Sequence, residues 1–242
     1  MISPFARYGF LLAVLCAIAV GISGPGYRMG WWPLPVAFGM LRWPAYAAIA
    51  ATLIGVVGAV LTRPGRTRRG FGYALAAIAI GVATMAGPLT LMARAKQVPP
   101  IHDISTDTDN PPQFVAVLPL RAGAANPAAY GGPEVAAQQK KAFPHIVPLA
   151  LPLPPEQAFA RALAVAQGMG WSIAGTSAAE GRIEATDATP FFGFKDDVVI
   201  RVTAAPPGSR IDVRSLSRIG KSDLGANARR VESFLKKLGG ES

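Results

Sequence analysis

Arg63-Pro64-Gly65-Arg66-Thr67-Arg68-Arg69 stands between WPAYAAIAATLIGVVGAVLT at 43–62 and GFGYALAAIAIGVATMAGPLTLMA at 70–93. Four arginines in seven residues thus separate two uncharged runs of 20 and 24 residues, and a third uncharged run of 20 precedes them at 8–27. A helix needs roughly 20 apolar residues to cross the hydrocarbon of a bilayer, and helices satisfy every backbone polar group internally. Three transmembrane helices over residues 1–96 follow. Outward from this loop, residues 1–96 hold nine Lys or Arg and no Asp or Glu, whereas all 14 acids lie beyond residue 102. The formal charge of +10 therefore sits almost wholly in the first part. In a soluble protein such an excess points to nucleic acid. Interleaved with apolar runs it is a topology signal, and no nucleic-acid partner is expected.

The density of arginine at 63–69 puts that loop on the cytoplasmic side. The N-terminus with Arg7 is then cytoplasmic too, and the chain leaves the third span on the outer side, in the periplasm of a bacterial inner membrane. Arg28, Arg42, Arg94 and Lys96 oppose this assignment, so density decides and not the sum. Arg42 is expected to snorkel to an interface that holds Trp31, Trp32 and Trp43. The first run also has the layout of a signal peptide, but Ser23-Gly24-Pro25 is a poor cleavage site, so it is read as a retained span that Gly24-Pro25-Gly26 ends early. Gly55 and Gly58 mark a close helix-packing face, within the three helices or against a partner membrane protein. With a single cysteine, Cys16, no intrachain disulfide forms.

Twelve of the 22 prolines fall in residues 97–155, which are expected to be extended and irregular, wrapping or linking. Beyond them, residues 156–242 have regular periodicity. Pro155-Glu156 opens a helix with Phe159, Ala162, Leu163 and Ala166 on one face. Strands follow around Trp171–Ile173, 181–186, 198–202 and 211–213, the last two joined by Pro206-Pro207-Gly208. Ser222 or Asp223 caps a closing helix with Leu224, Ala228, Val231, Leu235 and Leu238 on its face, and Gly239-Gly240 ends it. The fold class is α+β: three N-terminal transmembrane helices, then a small antiparallel sheet of three to five strands packed against two helices. An apolar groove beneath the final helix is an attendant expectation.

Polar residues concentrate in three places. His102, Asp103, Ser105, Asp107 and Asp109 alternate like the oxygen ligands of a calcium loop, but Thr108 stands where glycine is required and Phe114 where the bidentate glutamate belongs, so no metal or cofactor is assigned. Asx and Ser/Thr turns that cap backbone amides before the prolines are the preferred reading of the cluster. Asp196 and Asp197 adjoin on one strand and point to opposite faces, so they form no dyad; surface ion pairs, including with Arg201 or Arg214, are the simplest role. Phe191, Phe192 and Phe194 line a core or groove, or dip toward the membrane. Arg214, Leu216 and Arg218 share a strand face, and Lys221 at the start of the last helix could attract an anion. No nucleophile elbow or phosphate loop is present. A hydrolase using His102 with Asp107 or Asp197 is the enzymatic alternative.

Three of these runs, residues 102–112, 194–202 (FKDDVVIRV) and 212–227 (DVRSLSRIGKSDLGAN), together with the Tyr130, 142–148 and Trp171 neighbourhoods, resemble the domain of unknown function 1499 family. The resemblance covers about residues 98–238. It implies a membrane-attached or exported domain and supplies no reaction. The expected function is therefore a non-enzymatic inner-membrane protein. Its periplasmic domain acts as an accessory subunit of a membrane complex or, alternatively, binds a lipid or other apolar ligand in the sheet–helix groove. Its partners are the lipid bilayer and another membrane protein.

Overall fold

The computed structural model describes residues 1–240. Three long helices come first: α1, Pro4–Arg28; α2, Leu34–Thr62; and α3, Phe71–Gln97. At about 1.5 Å per residue, their 25 to 29 residues span well over the roughly 30 Å of a hydrocarbon core. All three are apolar enough to cross a membrane. Their packing inverts that of a soluble bundle. Large side chains such as Leu11, Leu15, Leu53 and Val57 are exposed, while small residues (Ala6, Gly9, Ala13, Ala48, Ala51, Ala74, Ala77) are buried. Lipid rewards no burial of leucine, so the helices associate through close backbone approach at small residues. Gly55 packs against Ala77 and Ala74 of α3, and Gly58 against the Ala6 backbone of α1, so both glycines serve the three helices themselves.

The first helix runs past Gly24-Pro25-Gly26 to Arg28 instead of stopping there. Gly26 leaves no room for a Cβ beside the Trp32 ring, whose Nε1 donates to the Ser23 carbonyl at 2.9 Å. These glycines provide contact surface, and a single proline forfeits one backbone hydrogen bond without breaking the helix. Met1–Ala93 and Pro190–Gly193 form one compact unit, and Arg94–Thr189 with the described residues from Phe194 onward the other.

The second unit is α+β. An antiparallel sheet contains β1 (Asp103–Ser105), β2 (Leu149–Leu151), β3 (Ser172–Ser177), β4 (Arg182–Ala188), β5 (Lys195–Ala205) and β6 (Gly208–Ser217). The spatial order is β1-β6-β5-β4-β3, and β2 pairs with β6 farther along the edge that β1 occupies. The sheet thus exceeds the expected strand count, because the proline-rich segment supplies β1 and β2. That segment also forms α4 (Gly132–Ala142), where Pro133 stands in the first turn and no further proline intervenes before Pro144.

Alternation along β5 and β6 sorts the sheet into two faces. Val198, Ile200 and Val202 with Ile211 and Val213 point toward α5 (Pro155–Gly168) and α6 (Ala226–Gly239). There Ala158, Ala162 and Ala166 of α5 meet Ala228, Val231, Phe234 and Leu238 of α6. Phe234, which the sequence face omitted, is fully buried and stacks on Trp171 with centroids 5.3 Å apart. Leu224 lies before the helix, and Leu235 is only partly buried. This packing fills the space where an apolar groove was expected.

Candidate functional site

The other sheet face is charged, and the residues between β1 and α4 pass over it as a strap. Register aligns Glu184 with Val199 and Val199 with Arg214, and aligns Asp197 with Thr186 and Leu216. These side chains, together with Asp103, Arg201, Asp212 and Arg210, project to the side opposite the helices. Phe114 and Val117 of the strap pack on Val199 and Leu216 at the centre. Around that small apolar contact lie four ion-pair groups.

Arg214 and Asp103 form a bidentate pair, Nε to Oδ1 at 3.0 Å and Nη2 to Oδ2 at 2.8 Å. The guanidinium also donates to the carbonyls of Pro112 and Ala128 in the strap and lies over the rings of Phe114 (5.0 Å) and Tyr130 (5.4 Å). Arg214 is fully buried. Burial pushes the Asp103 carboxyl up, against the pull of Arg214. Burial and the nearby Asp103 charge raise the Tyr130 phenol to about 12.

Asp197 is a hub. Arg218 donates to both of its oxygens (2.9 and 2.8 Å), Arg121 to Oδ2 (2.6 Å) and the Thr186 hydroxyl to Oδ1 (2.6 Å). Burial opposes its ionisation, yet Arg218, Thr186 and Arg121 together hold it below the usual carboxylate range. Arg121 and Arg218 also fasten the strap through the carbonyls of Asn126 (2.9 Å) and Leu120 (2.6 Å).

Glu184, fully buried, accepts the backbone N–H groups of Val115, Ala116 and Val117, each at 3.0 Å, and a guanidinium N–H from Arg182. Three successive amides converging on one carboxylate pin the strap to β4. The fourth group joins Asp107 and Asp212 through Arg201 and Arg210. Asp107 Oδ2 takes 3.0 and 2.9 Å bonds from them, and Asp212 binds both again. Asp107 Oδ1 accepts the amides of Asp109 and Asn110, which is the Asx-turn arrangement.

The structure thus gathers Asp103, Asp107, Asp197, Arg201, Arg214 and Arg218 on one face and separates them from the remaining candidates. Asp196 faces the helices, where Arg230 bridges it (2.7 Å) to Asp187 (2.8 Å). Both adjacent aspartates are buried in an interior strand, not at a surface edge, and the partners of Asp197 are Arg121 and Arg218 in place of Arg201 or Arg214. Asp109 is exposed and pairs with Lys140. His102 is half-buried, its Nδ1 3.3 Å from the Lys221 carbonyl, and shares no hydrogen bond with Asp107 or Asp197. The Lys221 side chain is exposed. The Asp223 carboxylate takes the amides of Gly225 (2.7 Å) and Asn227 (2.8 Å) at the start of α6, so the chain's own anion occupies that terminus. The N-cap position itself is Gly225, in the left-handed region.

Phe194 closes a turn with Thr189, its amide donating to the Thr189 hydroxyl at 2.9 Å. Phe192 is buried within the helical unit, its ring centroid 5.6 Å from Phe38 and 6.3 Å from Tyr27, and Phe191 rests edge-on to it at 5.0 Å. Among the described residues, no group of three or more His, Cys, Asp or Glu is placed to hold a metal ion.

Sequence reasoning missed Arg121, Glu184 and Arg230. Glu184 had a usable signal, because it alternates with Ile183 and Ala185 on a strand whose neighbours are buried on both faces. Arg121 had none, since its partner Asp197 is 76 residues away.

Residues 103–238, more than half of the chain, match the family described as protein of unknown function (DUF1499), and the chain belongs to it. No curated protein matches the chain. No solved structure does either.

Proposed function

We propose that this member of the family is a non-enzymatic protein of the bacterial inner membrane. Its N-terminus is cytoplasmic and residues 97–240 are periplasmic. It serves as an accessory subunit or interaction module of a membrane complex. The arginine density at 63–69 supports the orientation. The observation that carries the role is the state of the charged face. Its buried carboxylates are occupied by guanidinium, hydroxyl or backbone donors that hold the strap, and Asp197 is kept ionised with four donors around it. A general base needs an oxygen within reach of a substrate proton; here the carboxylate oxygens are taken up by this chain's own donors.

The strap meanwhile turns Val115, Leu118 and Leu120 outward, each about half exposed. These three, with Val147, are the large hydrophobics exposed in the second unit among the described residues. Beside Leu120 lies a shallow cleft of about 430 Å³ with Ile173, Ala174, Lys195 and Arg218 on its walls. A strap with an apolar outer edge beside a cleft that carries Lys195, Arg218 and Asp187 is the form of a partner-docking surface.

The test is photo-crosslinking from position 118 or 120 in intact membranes, followed by mild-detergent purification. The reading expects one defined membrane-protein adduct, lost in Leu118→Asp while the unfolding midpoint holds. Recovery of the chain alone, with no adduct from either position, overturns it. So does a reporter enzyme fused after residue 240 that is active only in the cytosol.

A further inference from the structure

We propose that the groove between the N-terminal half of α2 and the C-terminal half of α3 binds one anionic phospholipid, with its phosphate on Arg42 and an acyl chain along an apolar floor. The groove encloses about 430 Å³ and is bounded by Phe38, Ala45, Ile49, Met85 and Leu89 beside Arg42. That volume falls in the range of roughly 300–1,000 Å³ typical of ligand sites. Arg42 is its one charged wall residue. No acid occurs in the first 102 residues, so no side chain of the helical unit can neutralise this cation. The guanidinium is nonetheless placed, 5.1 Å from the Trp43 ring centroid and 6.0 Å from that of Tyr46. Aromatic faces attract a cation but leave its N–H donors available.

Position within the helix agrees with this. Arg42 lies eight residues beyond the start of α2, about 12 Å along its axis. A 29-residue helix overhangs a roughly 30 Å hydrocarbon core at its ends, so the guanidinium reaches the depth of lipid phosphates. Phe38, Tyr46, Ile49 and Leu89 remain about half exposed, so the groove opens toward the bilayer and its occupant enters from there. Pro88, on the same wall, lacks the amide that would continue the ladder of α3 where the groove forms. An apolar trough with one cation at headgroup depth matches an amphiphile with a single negative head.

The site is independent of the partner-docking reading, since it requires only that α2 and α3 lie in lipid. The test is native mass spectrometry of the full chain in mild detergent, titrated with phosphatidylglycerol or with phosphatidylcholine of the same acyl chains. The expected result is one phosphatidylglycerol retained in preference to phosphatidylcholine. Arg42→Gln should weaken that binding about tenfold or more, the loss of one charge-assisted contact. Ala45→Phe, which fills the floor, should weaken both lipids, whereas Arg66→Gln in the distant loop should change nothing. Equal retention of the two lipids by the unaltered chain overturns the proposal. So does a preference that survives Arg42→Gln and Ala45→Phe, a preference lost only with Arg66→Gln, or a photo-crosslinker at position 45 that captures a protein and no lipid.

Discussion

The two faces of the sheet are built from alternate residues of the same strands, yet they are held by different forces. Toward α5 and α6, Ile200, Val213, Val231 and Phe234 exclude water by apolar contact, which is non-directional and tolerant of repacking. Toward the strap, Asp103, Glu184, Asp197 and Arg214 are equally buried but are satisfied only by particular atoms at particular angles. A hydrophobic face would hold some strap, whereas the ionic face holds this one in one register. Buried ion pairs add little net stability once desolvation is counted, so their structural value here is the fixing of position.

The largest expected effects test whether both faces are essential. Phe234→Ala should cost about 3–5 kcal/mol by opening a cavity beside Trp171. Arg214→Leu should cost about the same, by leaving the buried Asp103 carboxyl without its partner. The faces differ in rescue. Adding Asp103→Leu to Arg214→Leu should recover much of the loss, because the unpaired buried carboxyl is gone, whereas no single second change fills the Phe234 cavity. Unfolding of the detergent-solubilised chain, followed by tryptophan fluorescence, reads all three. A double variant no better than Arg214→Leu alone would break the contrast.

A smaller and local effect is expected at Glu184. Its replacement by Ala strands three strap amides, at about 1–3 kcal/mol for the set, since two of them lie near solvent. Hydrogen exchange should quicken at Val115, Ala116 and Val117 and stay slow in the strands under the helices. Uniform acceleration would mean that the strap and the apolar core are one cooperative unit.

The pH response sharpens the comparison further. The folded-state pKa of Asp197 lies below its unfolded value, so the unfolded chain binds more protons there. Its contribution is therefore full above about pH 4 and is lost as pH falls through the lower folded value. The stability gap between the unaltered chain and Asp197→Asn should be widest near neutrality and should narrow with acid. A constant gap would remove Asp197 from the account. The least effect is expected of Asp109→Ala, which breaks only the exposed pair with Lys140 and should shift stability by less than about 0.5 kcal/mol.

Much of this architecture was legible along the chain. Apolar runs bounded by arginine marked the three helices, Pro155 opened α5, and Gly239-Gly240 closed α6. The opposite facing of Asp196 and Asp197 followed from strand geometry alone. Two strands and α4 were missed, because prolines at 97–155 obscure periods only three to eleven residues long. The glycines flanking Pro25 were misread as a stop because their roles depend on rings beyond the end of the helix, Phe191 against Gly24 and Trp32 against Gly26.

Residue order by itself determined which segments meet lipid, which strands alternate and which side chains share a face, because each of these depends on neighbours within a few positions. Only the tertiary structure decided which charge meets which. Asp103 finds Arg214 across 111 residues and Asp197 finds Arg121 across 76. An ion pair is a matter of distance in space, and no periodicity along a chain encodes it.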